Sequence, residues 1–254
     1  MLGLPDGIRA CLFDMDGVLT RTATVHMAAW KRTFDEFLRA RDPQAAEFTQ
    51  LDYNRFVDGK PRADGVRDFL ASRGITLPEG TPDDGPETPT VHGVGRRKNV
   101  LLLRELEEHG VEVYPGSMRY LEAARAAGLA TAVVTASANG DQVVAAGGFG
   151  HLLDARVDGV VAAREGLRGK PAPDTFLAGA RALGVEPAQA VVFEDALSGV
   201  AAGRAGEFGY VVGVDRVGQA DALRENGADV VVEDLADLIG PEPIGDQPTT
   251  EESQ

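Results

Sequence analysis

The chain has a single cysteine, Cys11, in 254 residues. An internal disulfide is therefore excluded, and the scarcity fits a reducing compartment. No apolar run is long enough to cross a bilayer, and no charged stretch followed by an apolar one opens the sequence, so neither a membrane span nor a secretory leader is expected. Basic residues are also scarce. Lys and Arg number 25 against 40 Asp and Glu, and a formal net charge of −15 argues against nucleic acid as a partner. Much of this acidity is local: residues 225–254 hold nine acids and no Lys or Arg, which leaves −6 for the first 224 residues. A locally basic site for an anionic substrate thus stays open. The expectation is a soluble, cytoplasmic, monomeric protein with a small-molecule partner and with neither membrane nor nucleic acid.

What is present begins with Arg9 to Thr20. The apolar run Cys11-Leu12-Phe13 ends in Asp14-Met15-Asp16-Gly17. In an extended chain, residues i and i+2 share a face, so Asp14 and Asp16 present two carboxylates together where the chain turns at Gly17. Like charges this close need a cation or a shared proton. Magnesium takes carboxylate and phosphate oxygens together and meets that need. An ordinary Asp-Gly turn is an equal rival on these residues alone.

Beyond Thr20 the chain reads as helices and loops up to residue 98. Helices are predicted over 22–41, 44–54 and 66–72, with a loop at 56–65 and an irregular excursion at 77–95. A further helix opens at Arg96-Arg97-Lys98-Asn99, carrying Val100, Leu101, Leu102 and Leu106 on its apolar side. The pattern then changes. Apolar, β-branched strands at 130–135, 155–161, 190–194, 210–214 and 229–232 alternate with helices at 118–127, 174–183, 196–205 and 220–225, and 114–116 reads as a turn. Such alternation predicts an α/β fold, a doubly wound parallel sheet of Rossmann-like type. The expected organisation is an α/β core of residues 1–21 and 99–240, an inserted helical domain of residues 22–98, and a disordered tail of residues 241–254. Ligands of open α/β sheets sit beyond the carboxyl ends of the strands. There Asp14, Asp16, Thr135, Ser137, Glu194 and Asp195 are predicted to converge.

Singly, these residues have ordinary explanations. Lys170 before Pro-Ala-Pro suits a solvated loop, Thr135 a turn hydroxyl, and Glu194-Asp195 a helix cap. Jointly, Asp14-x-Asp16, Thr135, Lys170 in Gly169-Lys170-Pro171, and Glu194-Asp195 match in order and spacing the four motifs of the haloacid dehalogenase-like superfamily, which the chain resembles over residues 8–235. The resemblance implies magnesium-dependent phosphoryl transfer through an aspartyl-phosphate on Asp14. Asp16 is then general acid and base, Thr135 cradles the phosphoryl oxygens, and Lys170 holds Asp14 ionised. The metal is implied to sit among Asp14, the Asp16 backbone carbonyl and Asp195, with Glu194 close by.

The helical insert lies where the type-one cap of that superfamily lies, and its residues resemble the β-phosphoglucomutase family. Thr22, His26 and Trp30 match after the aspartates, although Trp30 also suits simple helix packing. The loop Gly59-Lys60-Pro61-Arg62-Ala63-Asp64 matches the family's cap loop, with Arg62 implied on the distal phosphate. Arg97-Lys98-Asn99 places Lys98 near the substrate, and Thr135 to Gly140 resembles the phosphate loop, with Ser137 and Asn139 as further ligands. Two departures remove positive charge: Asp58 and Ala138 each stand where a lysine is usual, with Lys60 two residues from the first. The resemblance implies interconversion of β-D-glucose 1-phosphate and glucose 6-phosphate through glucose 1,6-bisphosphate. A magnesium-dependent sugar-phosphate phosphatase is the alternative, and a non-catalytic phosphosugar-binding protein ranks third.

Overall fold

The computed structural model describes residues 2–240. The tail expected to be disordered, 241–254, lies outside the described residues. Six parallel strands form one sheet: β1 (Ala10–Phe13), β2 (Ala130–Val134), β3 (Ala155–Val157), β4 (Ala190–Glu194), β5 (Tyr210–Val214) and β6 (Val230–Val232). Their spatial order is β3-β2-β1-β4-β5-β6. This is the doubly wound order, whose ligand crevice opens where the winding reverses, between β1 and β4.

Strand alternation builds the two faces. Cys11, Phe13, Val191, Phe193 and Val212 enter one apolar cluster with Tyr120 and Leu121, while Ala10, Leu12, Val134 and Val192 enter the opposite one with Phe176. Phe13 stacks on Phe193 at 4.5 Å, and Tyr120 meets both rings edge-on. The strand that carries Asp14 is therefore fixed from both sides.

The covering helices are α1 (Thr22–Arg41), α2 (Gln50–Asp52, continued by a π-turn over Tyr53–Val57), α3 (Arg62–Ser72), α4 (Val91–His109), α5 (Pro115–Ala126), α6 (Gly140–Gly147), α7 (Gly159–Glu165), α8 (Asp174–Ala182), α9 (Leu197–Ala205) and α10 (Ala220–Glu225). Among the described residues no helix is long and apolar enough to cross a membrane.

Several boundaries differ from the sequence expectation, each for a local reason. Strand β3 stops at Val157, not residue 161, because the Asp158 carboxylate turns back to accept the amides of Val160 and Val161 and opens α7. The turn expected at 114–116 is the start of α5, with Pro115 at the first helical position. The helix expected over 44–54 begins only at Gln50, after the Thr49 cap. Helix α4 begins at Val91, five residues early, since the Thr90 hydroxyl accepts the Gly93 amide at 3.0 Å. The excursion before it is well tied: Asp84 accepts from the Thr90 hydroxyl at 2.6 Å, and the Val91 amide donates to Pro78 O at 3.0 Å.

The insert has a core of its own. Trp30, Phe34, Phe48 and Phe69 pack with ring centroids 4.3–5.1 Å apart, which gives Trp30 the packing role open to it from sequence. Where the chain leaves and re-enters the sheet domain, the two crossings pair: the Arg21 amide donates to Glu112 O and the Tyr114 amide to Leu19 O. The expected boundary at 98/99 falls within the continuous helix α4. Val91 and Val94 at its start pack in the insert, while Leu106 near its end packs on the sheet cluster.

Candidate active site

The pairing of Phe13 with Phe193 sets Asp14 beside Glu194 at adjacent strand ends, and the Asp14 amide donates to Phe193 O at 2.9 Å. Between them enters Lys170, from the loop preceding α8. Its Nζ donates to Asp14 Oδ1 and Glu194 Oε1, each at 2.5 Å, and to Val134 O at 3.1 Å. Glu194 Oε2 accepts from the Ala196 amide, so both Glu194 oxygens are engaged. Burial alone would discharge Lys170, but the two carboxylates outweigh it and hold the ammonium above its ordinary value.

One lysine does not neutralise this site. Oxygens of Asp14, Glu194 and Asp195 lie within 4.8 Å of one another, all buried. Burial first, then neighbouring carboxylates, push Asp14 up to about 6 and Glu194 up to about 7 against the pull of Lys170. Asp195 is driven well above the usual carboxylate range by burial and by Asp58, Glu194, Asp14 and Asp16. A buried, acid-rich oxygen cluster of this kind fits a hard divalent cation. Asp14 and Asp195 offer it oxygens, while Glu194 chiefly steers Lys170. Gly17 makes the arrangement possible: its φ is +93°, and a Cβ there would stand 1.8 Å from Asp195 Oδ2.

Asp16 turns its side chain away from that trio. Its Oδ1 accepts the Thr22 hydroxyl, and its Oδ2 lies 3.4 Å from the Thr135 hydroxyl. Burial raises its pKa, opposed by Thr22, Lys98 and Lys170. His26 Nε2 lies 3.7 Å from Asp16 Oδ1. Lys98, itself buried, comes within 3.1 Å of His26 Nδ1. When Lys98 is charged it can only donate, so Nδ1 then accepts and the proton sits on Nε2, which is buried without a hydrogen-bond partner. Burial, then Lys98 and Arg62, keep His26 neutral, well below its ordinary value. Lys98 is pulled down to about 7 by burial and by Arg62, with Asp16 opposing.

The loop after β2 is shaped by its own hydroxyls. Thr135 Oγ1 accepts the Ser137 amide at 3.1 Å, and Ser137 Oγ accepts the Asn139 amide at 3.2 Å, just before α6. Asn99 joins this loop to the insert: its Oδ1 accepts from Asn139 Nδ2 at 2.9 Å and from Arg62 Nη2 at 2.8 Å. Ten of the twelve residues named from sequence line one cavity of about 350 Å³. Thr22 and Glu194 stand behind its wall, acting through Asp16 and Lys170.

Four participants were not named as site residues. Asp58 lines the cavity together with Asp14, Asp16 and Asp195, and its backbone carbonyl accepts the Ser198 hydroxyl at 2.8 Å. Burial first, then Glu194 and Asp16, push the Asp58 carboxyl up to about 7, against a hydrogen bond from the Tyr53 hydroxyl and the charge of Lys170. Gln219 bridges insert and sheet, accepting from Asn54 at 3.2 Å and donating to Asp195 O at 2.9 Å. Asn99 followed directly after the named Lys98. Asp58 carried a signal as a departure, while Tyr53 and Gln219 carried none. Lys60, two residues from Asp58, is tied instead to Asp68 at 2.7 Å.

Comparison with known proteins is consistent with this geometry. A family model described as haloacid dehalogenase-like hydrolase matches residues 8–206. The chain is 54% identical over 247 residues to a β-phosphoglucomutase of Mycobacterium bovis, covering 94% of each. It is 31% identical to a validoxylamine A 7′-phosphate phosphatase of Streptomyces hygroscopicus subsp. limoneus, covering 92% of this chain and 97% of that one. Among solved structures, a β-phosphoglucomutase from Clostridium difficile shares the fold, with TM-score 0.73 at 23% identity, covering 91% of this chain and 93% of that one.

Proposed function

The chain belongs to the haloacid dehalogenase-like hydrolase family, and from that premise we propose that it is a β-phosphoglucomutase. The substrate is β-D-glucose 1-phosphate, the product glucose 6-phosphate, and glucose 1,6-bisphosphate the intermediate that turns over within the site. The observation that carries this reading is one cavity lined both by Asp14 of the sheet domain and by Arg62 of the insert. A mutase must hold a second phosphate while the first is transferred.

Asp14 attacks phosphorus through the carboxylate oxygen not engaged by Lys170, which splits one transfer into two easier ones. Lys170 keeps that carboxylate ionised and adds positive charge where the transferring group spreads its own. Thr135 and Ser137, with the amides opening α6, receive the phosphoryl oxygens. A magnesium ion held by Asp14 and Asp195, with Glu194 behind them, would supply further charge neutralisation. Asp16, raised by burial, carries the proton to the departing sugar oxygen and takes it back from the attacking hydroxyl. The Thr22 hydroxyl, which donates to it, orients that carboxyl, and His26 stands beside it. Both lie on α1, the first helix of the insert, so proton transfer is coupled to the insert's position.

The insert, which runs from α1 into α4, serves as a cap that turns about the paired crossings at 19–21 and 112–114. When it is seated, the 58–61 loop presses on α9. A Cβ on Gly59 would lie 2.5 Å from Ser198 Oγ, and one on Gly169 would lie 2.0 Å from Pro61. That closeness excludes water, whose attack on phospho-Asp14 is the competing path. The rival reading, a sugar-phosphate phosphatase, draws on Ala138, which withholds positive charge from the 135–140 loop, and on Asp58, which adds a carboxyl beside Asp14 and Asp195. Phosphorus NMR decides between them. With magnesium, β-glucose 1-phosphate and a trace of glucose 1,6-bisphosphate, the mutase yields glucose 6-phosphate; inorganic phosphate alone would overturn it.

A further inference from the structure

The excursion before α4 and the basic turn that opens this helix have no part in the chemistry above, yet Pro82, Val91, His92 and Arg96 all line the same cavity. Several arginines of the insert are tied to acids. Arg67 is bound to Asp64 and Glu79, Arg73 to Asp52, and Arg97 to Glu87 and Pro86 O. Arg62 and the more exposed Arg96 line the cavity and have no carboxylate partner among the described residues; Arg41 and Arg55 lack one too but are not part of the lining. In a chain with 40 acids and 25 basic residues, two neighbouring guanidinium groups without an acid between them are a distinct arrangement.

Gly95 sets their closeness. A Cβ at that position would stand 3.0 Å from Arg62 Cδ and 3.2 Å from its Cγ, so the bare backbone of α4 lets the Arg62 stem lie directly against the turn that carries Arg96. Burial first, and then the charge of Arg96, lower the pKa of Arg62, so the two cations repel each other. Arg62 is held from the other side by Asn99, which also holds Asn139 of the phosphate loop. Repulsion that the protein leaves uncompensated is relieved by an anion lying between the two groups. Paired guanidinium groups match phosphate oxygens in charge and in planar donor geometry.

We propose that Arg96 completes, with Arg62, a two-arginine clamp for the phosphate farther from Asp14, and so selects doubly phosphorylated sugars. The clamp supplies the charge that Ala138 withholds, and it gives the excursion at 77–90 a purpose: it braces the start of α4 from which Arg96 reaches the cavity. This inference rests on the mutase reading, and it fixes how that reaction retains its intermediate.

The test measures dissociation constants for glucose 1,6-bisphosphate and for β-glucose 1-phosphate by calorimetry, in magnesium, on Asp14→Asn protein that cannot turn over. The same pair is measured with Arg96→Ala, Arg96→Glu or Arg96→Lys added. Arg96→Ala is expected to weaken the bisphosphate by about tenfold or more and the monophosphate by much less. Arg96→Glu extends the loss, and Arg96→Lys recovers part of it. A bisphosphate-to-monophosphate ratio unchanged by Arg96→Ala and Arg96→Glu overturns the clamp, as does the lack of any such preference without them. Failure of the mutase reading is separate: the unmutated enzyme would then form no glucose 6-phosphate, whatever the ratio.

Discussion

Lys170→Met tests the electrostatic centre of the site. Its Nζ makes three contacts within a buried group, two of them to carboxylates at 2.5 Å. Methionine fills comparable space but leaves Asp14 and Glu194 facing each other with no cation. Removing one partner from a buried ion pair costs about 3–5 kcal/mol. At about 2–4 °C per kcal/mol for a chain of this size, the melting temperature should fall by about 10 °C in metal-free buffer at pH 8. The loss depends on pH with a definite sign. Asp14 and Glu194 already stand at about 6 and 7 in the folded protein, above their ordinary values of 3.8 and 4.5. Without the lysine they rise further, so the folded state keeps their protons to higher pH than the unfolded chain does. Stability is then retained in acid and lost as pH climbs through the folded values. Urea melts at pH 5 and pH 8 should show the greater deficit at pH 8, and adding Glu194→Gln should restore part of it. Equal stability of Lys170→Met and parent at pH 8, or a larger deficit at pH 5, would refute the reasoning.

Other outcomes follow from the same geometry. The metal-free parent should melt lower as pH rises from 5 to 8, because Asp14, Asp58 and Glu194 all carry raised values and shed their protons in that window. Magnesium at a hundred times its dissociation constant should restore about 2.7 kcal/mol at pH 8; no shift on adding it would count against the carboxylate cluster as a cation site. Gly17→Ala drives a methyl group into Asp195, so turnover should drop by about a hundredfold and the magnesium-induced rise in melting temperature should shrink; near-parental activity contradicts this. Thr22→Val removes the hydroxyl that holds down the pKa of Asp16. The alkaline limb of the kcat/KM profile should move upward and kcat should fall, and a superimposable profile would remove Thr22 from the proton-transfer apparatus.

Much of this molecule was legible in its sequence where local pattern and strand ends carry the information. The runs around Leu12 and Val192 are apolar on both faces, which only a covered parallel sheet requires, and the topology then brings Asp14, Thr135, Glu194 and Asp195 to one edge. Helix α4 starts five residues before its sequence pattern suggests, because Gly93 and Gly95 resemble loop composition. Each costs about 1 kcal/mol in a helix relative to alanine. Gly95 is there for the approach of Arg62, a tertiary reason that its neighbours in sequence do not disclose. Asp58 was legible only as a missing lysine. Its place beside the cation cluster depends on a loop seated against Ser198, 140 residues away. The Asn54–Gln219 contact spans 165 residues between an insert helix and a loop after β5, with no local signature at either end.

The central claim is that Asp14 carries the phosphoryl group and passes it to sugar in preference to water. It is tested most directly by mixing the enzyme and magnesium with glucose 1,6-bisphosphate bearing radiolabelled phosphorus, quenching in acid, and locating the label on the chain. The account predicts label on Asp14, absent from Asp14→Asn, that is chased into glucose bisphosphate when unlabelled β-glucose 1-phosphate is added. Label that leaves only as inorganic phosphate, or that is found on another residue, would contradict it.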